Sequence, residues 1–260
     1  MLKEFEEYLL KNEKSSQTIE KYVRDVRFFL AECPILGRKE VLDYKEKLQK
    51  IYKISSANSM LAAMNCYLKF LGRGDLCVKQ FKVQKKVYAE KELTKGDYEK
   101  LIRAADPKLS LLIQTLCATG IRVSELEFIT VEAVKQGVAV VQCKGKTRTV
   151  FIVSALRKKL LQFAGKRTGP IFVTKSGKPL DRSNIWRMMK ALCKKAGVDP
   201  EKVFPHNLRH LFARTFYGIE KDIAKLADIL GHSNINTTRI YLVTTPEEHR
   251  RRMEKMHLIL

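Results

Sequence analysis

Three strings in the second half of the chain hold side chains that can act on phosphorus. Arg122 stands in ATGIRVSEL, directly after Gly120 and Ile121, between two apolar stretches that read as helices. His206 and Arg209 stand three apart in FPHNLRHLFA, a spacing that projects both from one face of one helix. His232 follows Gly231 in LGHSNINTTRIYL, and Tyr241 comes nine residues later. Lys144 and Lys146 lie in CKGKT, between two β-branched runs, where a hairpin tip can reach into a groove.

Breaking a phosphodiester without a metal makes four demands. Charge accumulates on the non-bridging oxygens in the five-coordinate state, and arginine neutralises it bidentately without losing its proton. A nucleophile must become covalently attached if bond energy is to be kept for rejoining. A base must relieve the nucleophile of its proton, and an acid must protonate the leaving oxygen. The two arginines, two histidines, the lysine pair and the tyrosine supply all of these. No cofactor is expected: the chain has no Walker loop and no carboxylate cluster of the metal-nuclease kind. Its six cysteines show no CxxC pair and no histidine at zinc-like spacing, so they read as buried, reduced thiols.

The elements that must hold these residues follow from apolar periodicity and caps. Helices are predicted over 15–32, 38–50 and 56–71, the first capped by Ser15 or Ser16 and the last stopped by Gly72. The charged, weakly periodic stretch KQFKVQKKVYAEKE at 79–92 reads as a linker. A cap signal at Leu93–Asp97 opens a second unit with an apolar helix over 107–119 closed by Gly120. VAVVQC (138–143) and RTVFIV (148–153) read as hairpin strands, and helices are predicted over 183–196, 206–217, 221–230 and 236–242. The expected fold is mainly α with a small antiparallel sheet in two domains: a helical one over 1–78 and one over 93–260 that holds the candidate site residues.

The net charge of +22 is far beyond what solubility asks and points to a polyanion, nucleic acid first. It is uneven. Residues 1–92 hold 19 basic against 13 acidic residues, and residues 93–260 hold 31 against 15, so the site-bearing part carries most of the field. No apolar run approaches the roughly 20 residues needed to span a bilayer. The N-terminus MLKEFEEYLL lacks the apolar core of a signal peptide, so a cytoplasmic, nucleoid-associated protein is expected.

ATGIRVSEL, HNLRHLFA and LGHSNINTTRIY, in that order, closely resemble the tyrosine recombinases and phage-type integrases, above all the compact Xer-like branch. The resemblance covers about 93–245, and extends more loosely to the N-terminal unit, which is similar to that family's core-binding domain. It implies that Arg122 and Arg209 grip the scissile phosphate and that Glu125 orients the first of them. It also implies that His206 takes the tyrosine proton, that His232 hydrogen-bonds a non-bridging oxygen and that Tyr241 is the nucleophile. Lys144 stands in the family's Lys-Gly hairpin position and would protonate the leaving 5′-hydroxyl. The family's hairpin often reads Gly-Lys-Gly-x-Lys, however, and a shifted alignment gives the role to Lys146. Partners implied are duplex DNA carrying a specific recombination site, and four protomers, identical or paired with a second recombinase, that synapse two sites through a Holliday junction. A chain that begins almost at the helical unit fits a two-domain Xer-like enzyme or a small element-borne recombinase.

Other readings compete for single segments. His210 and Tyr217 read as packing or DNA-backbone residues. Residues 221–241 also fit a helix-turn-helix reader, which would make the protein a regulator, and a type IB topoisomerase would share the chemistry. The tail LVTTPEEHRRRMEKMHLIL has a helix start at Pro246–Glu248 and an apolar end. It is expected as a helix over 246–260, folded back on its own domain or, as the resemblance implies, docked on a neighbouring protomer.

Overall fold

The computed structural model describes residues 1–82, 92–143, 146–232 and 234–239, with 250 and 254. The chain divides into two compact units, Met1–Lys85 and Lys86–Leu260.

The first unit is helical: α1 (Leu2–Lys11), α2 (Ser16–Glu32), α3 (Arg38–Ile51) and α4 (Ile54–Phe70). Ser15 caps α2, its side chain accepting from the Thr18 N–H. α1 was not anticipated, because its glutamates mask a short apolar stripe. Phe5 and Leu9, four apart, are both fully buried, and the Phe5 ring meets Tyr67 of α4 edge-on at 5.1 Å. The last residue of the expected helical domain and the start of the stretch expected as a linker are strapped to α4 by two asparagines. Asn65 donates to the Val78 carbonyl and accepts from its N–H, and Asn58 does the same for Phe81. Residues 83–91 lie outside the described residues.

The second unit opens with a capping box, Thr94 and Asp97, at the head of α5 (Lys95–Ala104). α6 (Pro107–Thr119) starts on an Asp106 cap and ends at Gly120 in the left-handed region, φ +61°. The segment after Arg122, expected to start a helix, is a 3-10 turn over Val123–Phe128, and α7 (Val131–Gln136) follows. β1 (Val138–Cys143) and β2 (Lys146–Phe151) pair antiparallel from Val138↔Phe151 to Cys143↔Lys146. β2 therefore begins and ends two residues earlier than predicted. Cross-strand pairing sets its ends, and Val153 already stands at the N-cap position of α8 (Ser154–Ala164). That helix was missed because Arg157-Lys158-Lys159 interrupts its stripe, yet Leu156, Leu160 and Ala164 are buried.

α9 (Arg182–Ala196), α10 (Pro205–Glu220), α11 (Ile223–Leu230) and α12 (Ile235–Arg239) follow. The main core gathers Leu112, Ile113, Ile129, Leu160, Ile185 and Met189. A smaller cluster of Ala213, Leu226 and Leu230 joins α10 to α11, with Phe212, Phe216 and Tyr217 packed against it. Tyr217 is thus a packing residue. Of the expected tail helix only Arg250 and Glu254 are described, both helical. No helix among the described residues is long and apolar enough to cross a membrane.

Candidate active site

The α10 helix carries the centre of the site. Its Arg209 is only 1% exposed and spreads its guanidinium across three segments. Nη1 donates to the Gly120 carbonyl at 2.6 Å, and Nη2 donates to the Leu230 carbonyl at 2.6 Å and to His232 Nε2 at 2.9 Å. The end of α6, two residues before Arg122, and the end of α11 are therefore tied to one cation. Gly120 is required there twice over. Its φ is positive, and a Cβ would stand 2.4 Å from the Phe212 ring of α10.

Arg122 sits where α6 gives way to the 3-10 turn, its side chain 35% exposed. Glu125, 1% exposed, accepts from the Arg122 backbone N–H at 2.8 Å and from its Nη1 at 2.9 Å. The same carboxylate accepts from Arg148 Nη2 at 2.6 Å. Burial alone would raise the Glu125 pKa. The Arg122 N–H and the charges of Arg148 and Arg122 outweigh it and hold the carboxyl below its ordinary value. Glu125 thus holds both the backbone and the guanidinium of Arg122, in keeping with the orienting role that the resemblance implies.

A further arginine, Arg148, stands outside the strings that mark the site. It lies in β2 opposite Val141, 12% exposed, and also donates through Nη1 to the Ile229 carbonyl at 2.8 Å. The signal was available: residue 148 is in phase with the buried Val150 and Ile152, so an arginine there points where a strand puts apolar side chains.

His206, on the first turn of α10, is exposed, and its ring meets the half-buried His210 edge-on at 4.8 Å. The His206 pKa is lowered, first by displacement of water and then by Arg209, Arg122 and Arg182. His232 Nδ1 lies 2.9 Å from Thr238 Oγ1. Because arginine can only donate, Nε2 must be the accepting nitrogen, which leaves the proton on Nδ1 for the threonine oxygen. Desolvation and then the nearby Arg209, Arg122 and Arg148 push His232 down to about 4. Desolvation and then His206 and Arg209 put His210 at about 4 as well.

These shifts set a pH dependence of stability. Both rings titrate near 4 in the fold against about 6.5 when unfolded, so the unfolded chain binds the extra protons between those values. The associated stability is fully present above about pH 6.5 and is lost as pH falls towards 4. Thermal melts between pH 7.5 and 5 should show the midpoint dropping with pH, and His210→Gln or His232→Asn should flatten that slope. A slope unchanged in both variants would show that these rings do not titrate as stated.

Arg122, Arg209, His206 and His232 are thus gathered from distant parts of the sequence, while Lys144 and Tyr241 lie outside the described residues, as does the Lys146 side chain. Among the described residues no cluster of three or more His, Cys, Asp or Glu could hold a metal ion. Cys33 and Cys193 are buried free thiols, and Cys66, Cys77 and Cys117 are half-buried ones.

The phage integrase family model matches residues 91–248, more than half of the chain. Tyrosine recombinase XerA of Pyrococcus furiosus is 32% identical over all of this chain and 94% of its own length. The crystal structure of XerA recombinase superposes with a TM-score of 0.58 at 26% identity, covering 100% of this chain and 98% of that one. A lambda integrase tetramer bound to a Holliday junction superposes at 0.72 with 19% identity, over 90% of this chain and 76% of that one, a likeness of fold alone.

Proposed function

This chain belongs to the phage integrase family and is a tyrosine recombinase, and we propose that it cuts and rejoins DNA at a specific site through a phosphodiester linkage to Tyr241. The observation that carries the reading is the single guanidinium of Arg209 joining the Gly120–Arg122 turn to His232. It brings two cationic side chains and a hydrogen-bonding histidine, from three separate strings, to one place, as charge on a phosphate's non-bridging oxygens requires.

In the proposed reaction the Tyr241 phenolic oxygen attacks the scissile phosphorus. A phosphotyrosine bond forms to the 3′-phosphate, the P–O5′ bond breaks, and a 5′-hydroxyl leaves. His206, neutral in its electropositive surroundings, takes the phenolic proton, and Lys144 protonates the departing oxygen. Arg122 and Arg209 neutralise the phosphate. A non-bridging oxygen that takes over Arg209 Nη2 would release His232 Nε2. The Thr238 hydroxyl can donate as well as accept, so His232 can then carry its proton on Nε2 and hydrogen-bond that oxygen itself.

Attack by the 5′-hydroxyl of a partner strand reverses these steps and exchanges strands. We propose that four protomers do this on two synapsed sites through a Holliday junction, the assembly in which the lambda integrase relative was crystallised. The helical unit (1–78) would grip the duplex, and Lys21 and Arg24 line a groove of about 410 Å³ between α2 and α4. The excess of basic over acidic residues suits a protein at work on chromosomal DNA in the cytoplasm.

A nicked suicide duplex tests the reading, because loss of the short 5′-terminal strand traps the intermediate. The wild-type protein should form an SDS-resistant protein–DNA adduct, and its absence across substrates carrying the native site would overturn the proposal. A bridging 5′-sulfur leaves without a proton and separates the two lysines. Lys144→Ala should be slow on oxygen and restored on sulfur, with little defect in Lys146→Ala; the reverse pattern moves the role to Lys146.

A further inference from the structure

Arg148 belongs to none of the strings that mark the site, yet it joins two of the segments that carry them. From β2 it donates to Glu125 through Nη2 and to the Ile229 carbonyl through Nη1, at 2.6 and 2.8 Å. Its aliphatic stem also lies under the turn that leads to His232. A Cβ on Gly231 would stand 2.4 Å from Arg148 Cδ and 3.0 Å from Nε, and Gly231 holds φ +64°. The turn is packed directly on this side chain.

The electrostatic consequence concerns Arg122. Glu125 is a buried carboxylate between two guanidinium groups, with Oε1 on Arg122 Nη1 and Oε2 on Arg148 Nη2. With Arg148 present, the three groups together carry one positive charge, and Arg122 keeps a field to offer an incoming phosphate. Without it, Glu125 and Arg122 close into a neutral pair, and a buried carboxylate with one partner missing draws its remaining arginine more tightly. Lysine cannot replace the fork, since a single ammonium cannot bond the carboxylate and the carbonyl in the same planar geometry.

We propose that Arg148 is a positioning residue for strand cleavage, holding the Arg122 guanidinium and the Gly231–His232 turn ready for the scissile phosphate. The inference rests on the reading that Arg122 acts on that phosphate, and the test separates the two. Single-turnover cleavage is measured for wild type, Arg148→Gln, Arg148→Lys and Arg122→Ala on two suicide duplexes. One has a normal scissile phosphate. The other has a methylphosphonate there, which lacks the non-bridging charge that Arg122 neutralises.

On the normal phosphate, Arg148→Gln should cleave about 10²-fold more slowly than wild type, towards the loss expected on removing a charge-stabilising donor. Half-site affinity should stay within about threefold, since binding spreads over many phosphate contacts. Arg148→Lys should fall between wild type and Arg148→Gln. On the methylphosphonate, the defects of Arg148→Gln and Arg122→Ala should both shrink by roughly tenfold or more. Each ratio compares one preparation with itself on two substrates, so a partly folded variant does not disturb it. A defect in Arg148→Gln that is equal on both substrates, while that of Arg122→Ala shrinks, would reduce Arg148 to a structural residue. Wild-type cleavage by Arg148→Gln would overturn the inference and leave the function standing. A normal rate for Arg122→Ala would remove both.

Discussion

Tyr241→Phe should bind its DNA site with wild-type affinity and form no covalent adduct with it. Only the phenolic oxygen is lost, and that oxygen makes the bond to phosphorus. A ring that merely packed near the site would tolerate the change. Water is no substitute, because hydrolysis would discard the bond energy that rejoining needs. The expected readout is therefore complete loss of the SDS-resistant species on a suicide duplex, with the mobility shift on intact DNA unchanged. The competing tyrosine is Tyr217, also in the second unit. It is packed against Ala213, Leu226 and Leu230, so Tyr217→Phe should leave adduct formation intact. An adduct whose peptide maps to Tyr217, or more than trace cleavage by Tyr241→Phe, would overturn the assignment.

The parts of this molecule that could be read in advance are those where local physics and packing agree. Gly120, Gly197 and Gly231 each end a helix in the left-handed region, where a glycine after an apolar stripe says they should. His206 and Arg209 share α10 because their spacing and a helix-starting Pro205 coincide. Misreadings arose where charge lies over an apolar stripe or where geometry depends on a partner. The three consecutive basic residues from Arg157 hid α8, and the glutamates of LKEFEEYLL hid α1. The ends of β2 depend on its register with β1, which the run of β-branched residues does not encode.

The site divides along the same line. Residues recognisable by order and spacing were found as strings, but what holds them is tertiary. Arg148 reaches Glu125, 23 residues away, and Ile229, 81 residues away, and neither contact leaves a periodic trace. The sequence marks Arg209 as a phosphate ligand alone, and its second task, tying the end of α6 to the end of α11, is visible only in three dimensions.

That second task separates the two arginines in experiment. Arg209→Ala should lower cleavage by at least about 10²–10³-fold, the loss expected when one charge-stabilising donor is removed. It should also destabilise the second unit, because the Gly120 and Leu230 carbonyls and the His232 ring each lose a buried donor. At roughly 1–3 kcal/mol for each group left unsatisfied, a total of about 2–5 kcal/mol is expected after partial relaxation and entry of water. Arg122→Ala should match the loss of rate with a much smaller change in stability. Its side chain is 35% exposed, and Glu125 still has the Arg122 backbone N–H and Arg148 as donors. Arg209→Lys keeps the charge, but its point-like ammonium cannot span both carbonyls, so part of both defects should remain. Single-turnover cleavage and urea unfolding of the same preparations measure the two quantities separately. Near-normal cleavage by Arg209→Ala would remove it from the phosphate site. Lost cleavage with unchanged unfolding would leave the phosphate role and refute the tie between the helix ends. A loss in both would mean that this guanidinium holds the helix ends together and faces the reacting phosphate with the same planar fork, so neither function can be varied without the other.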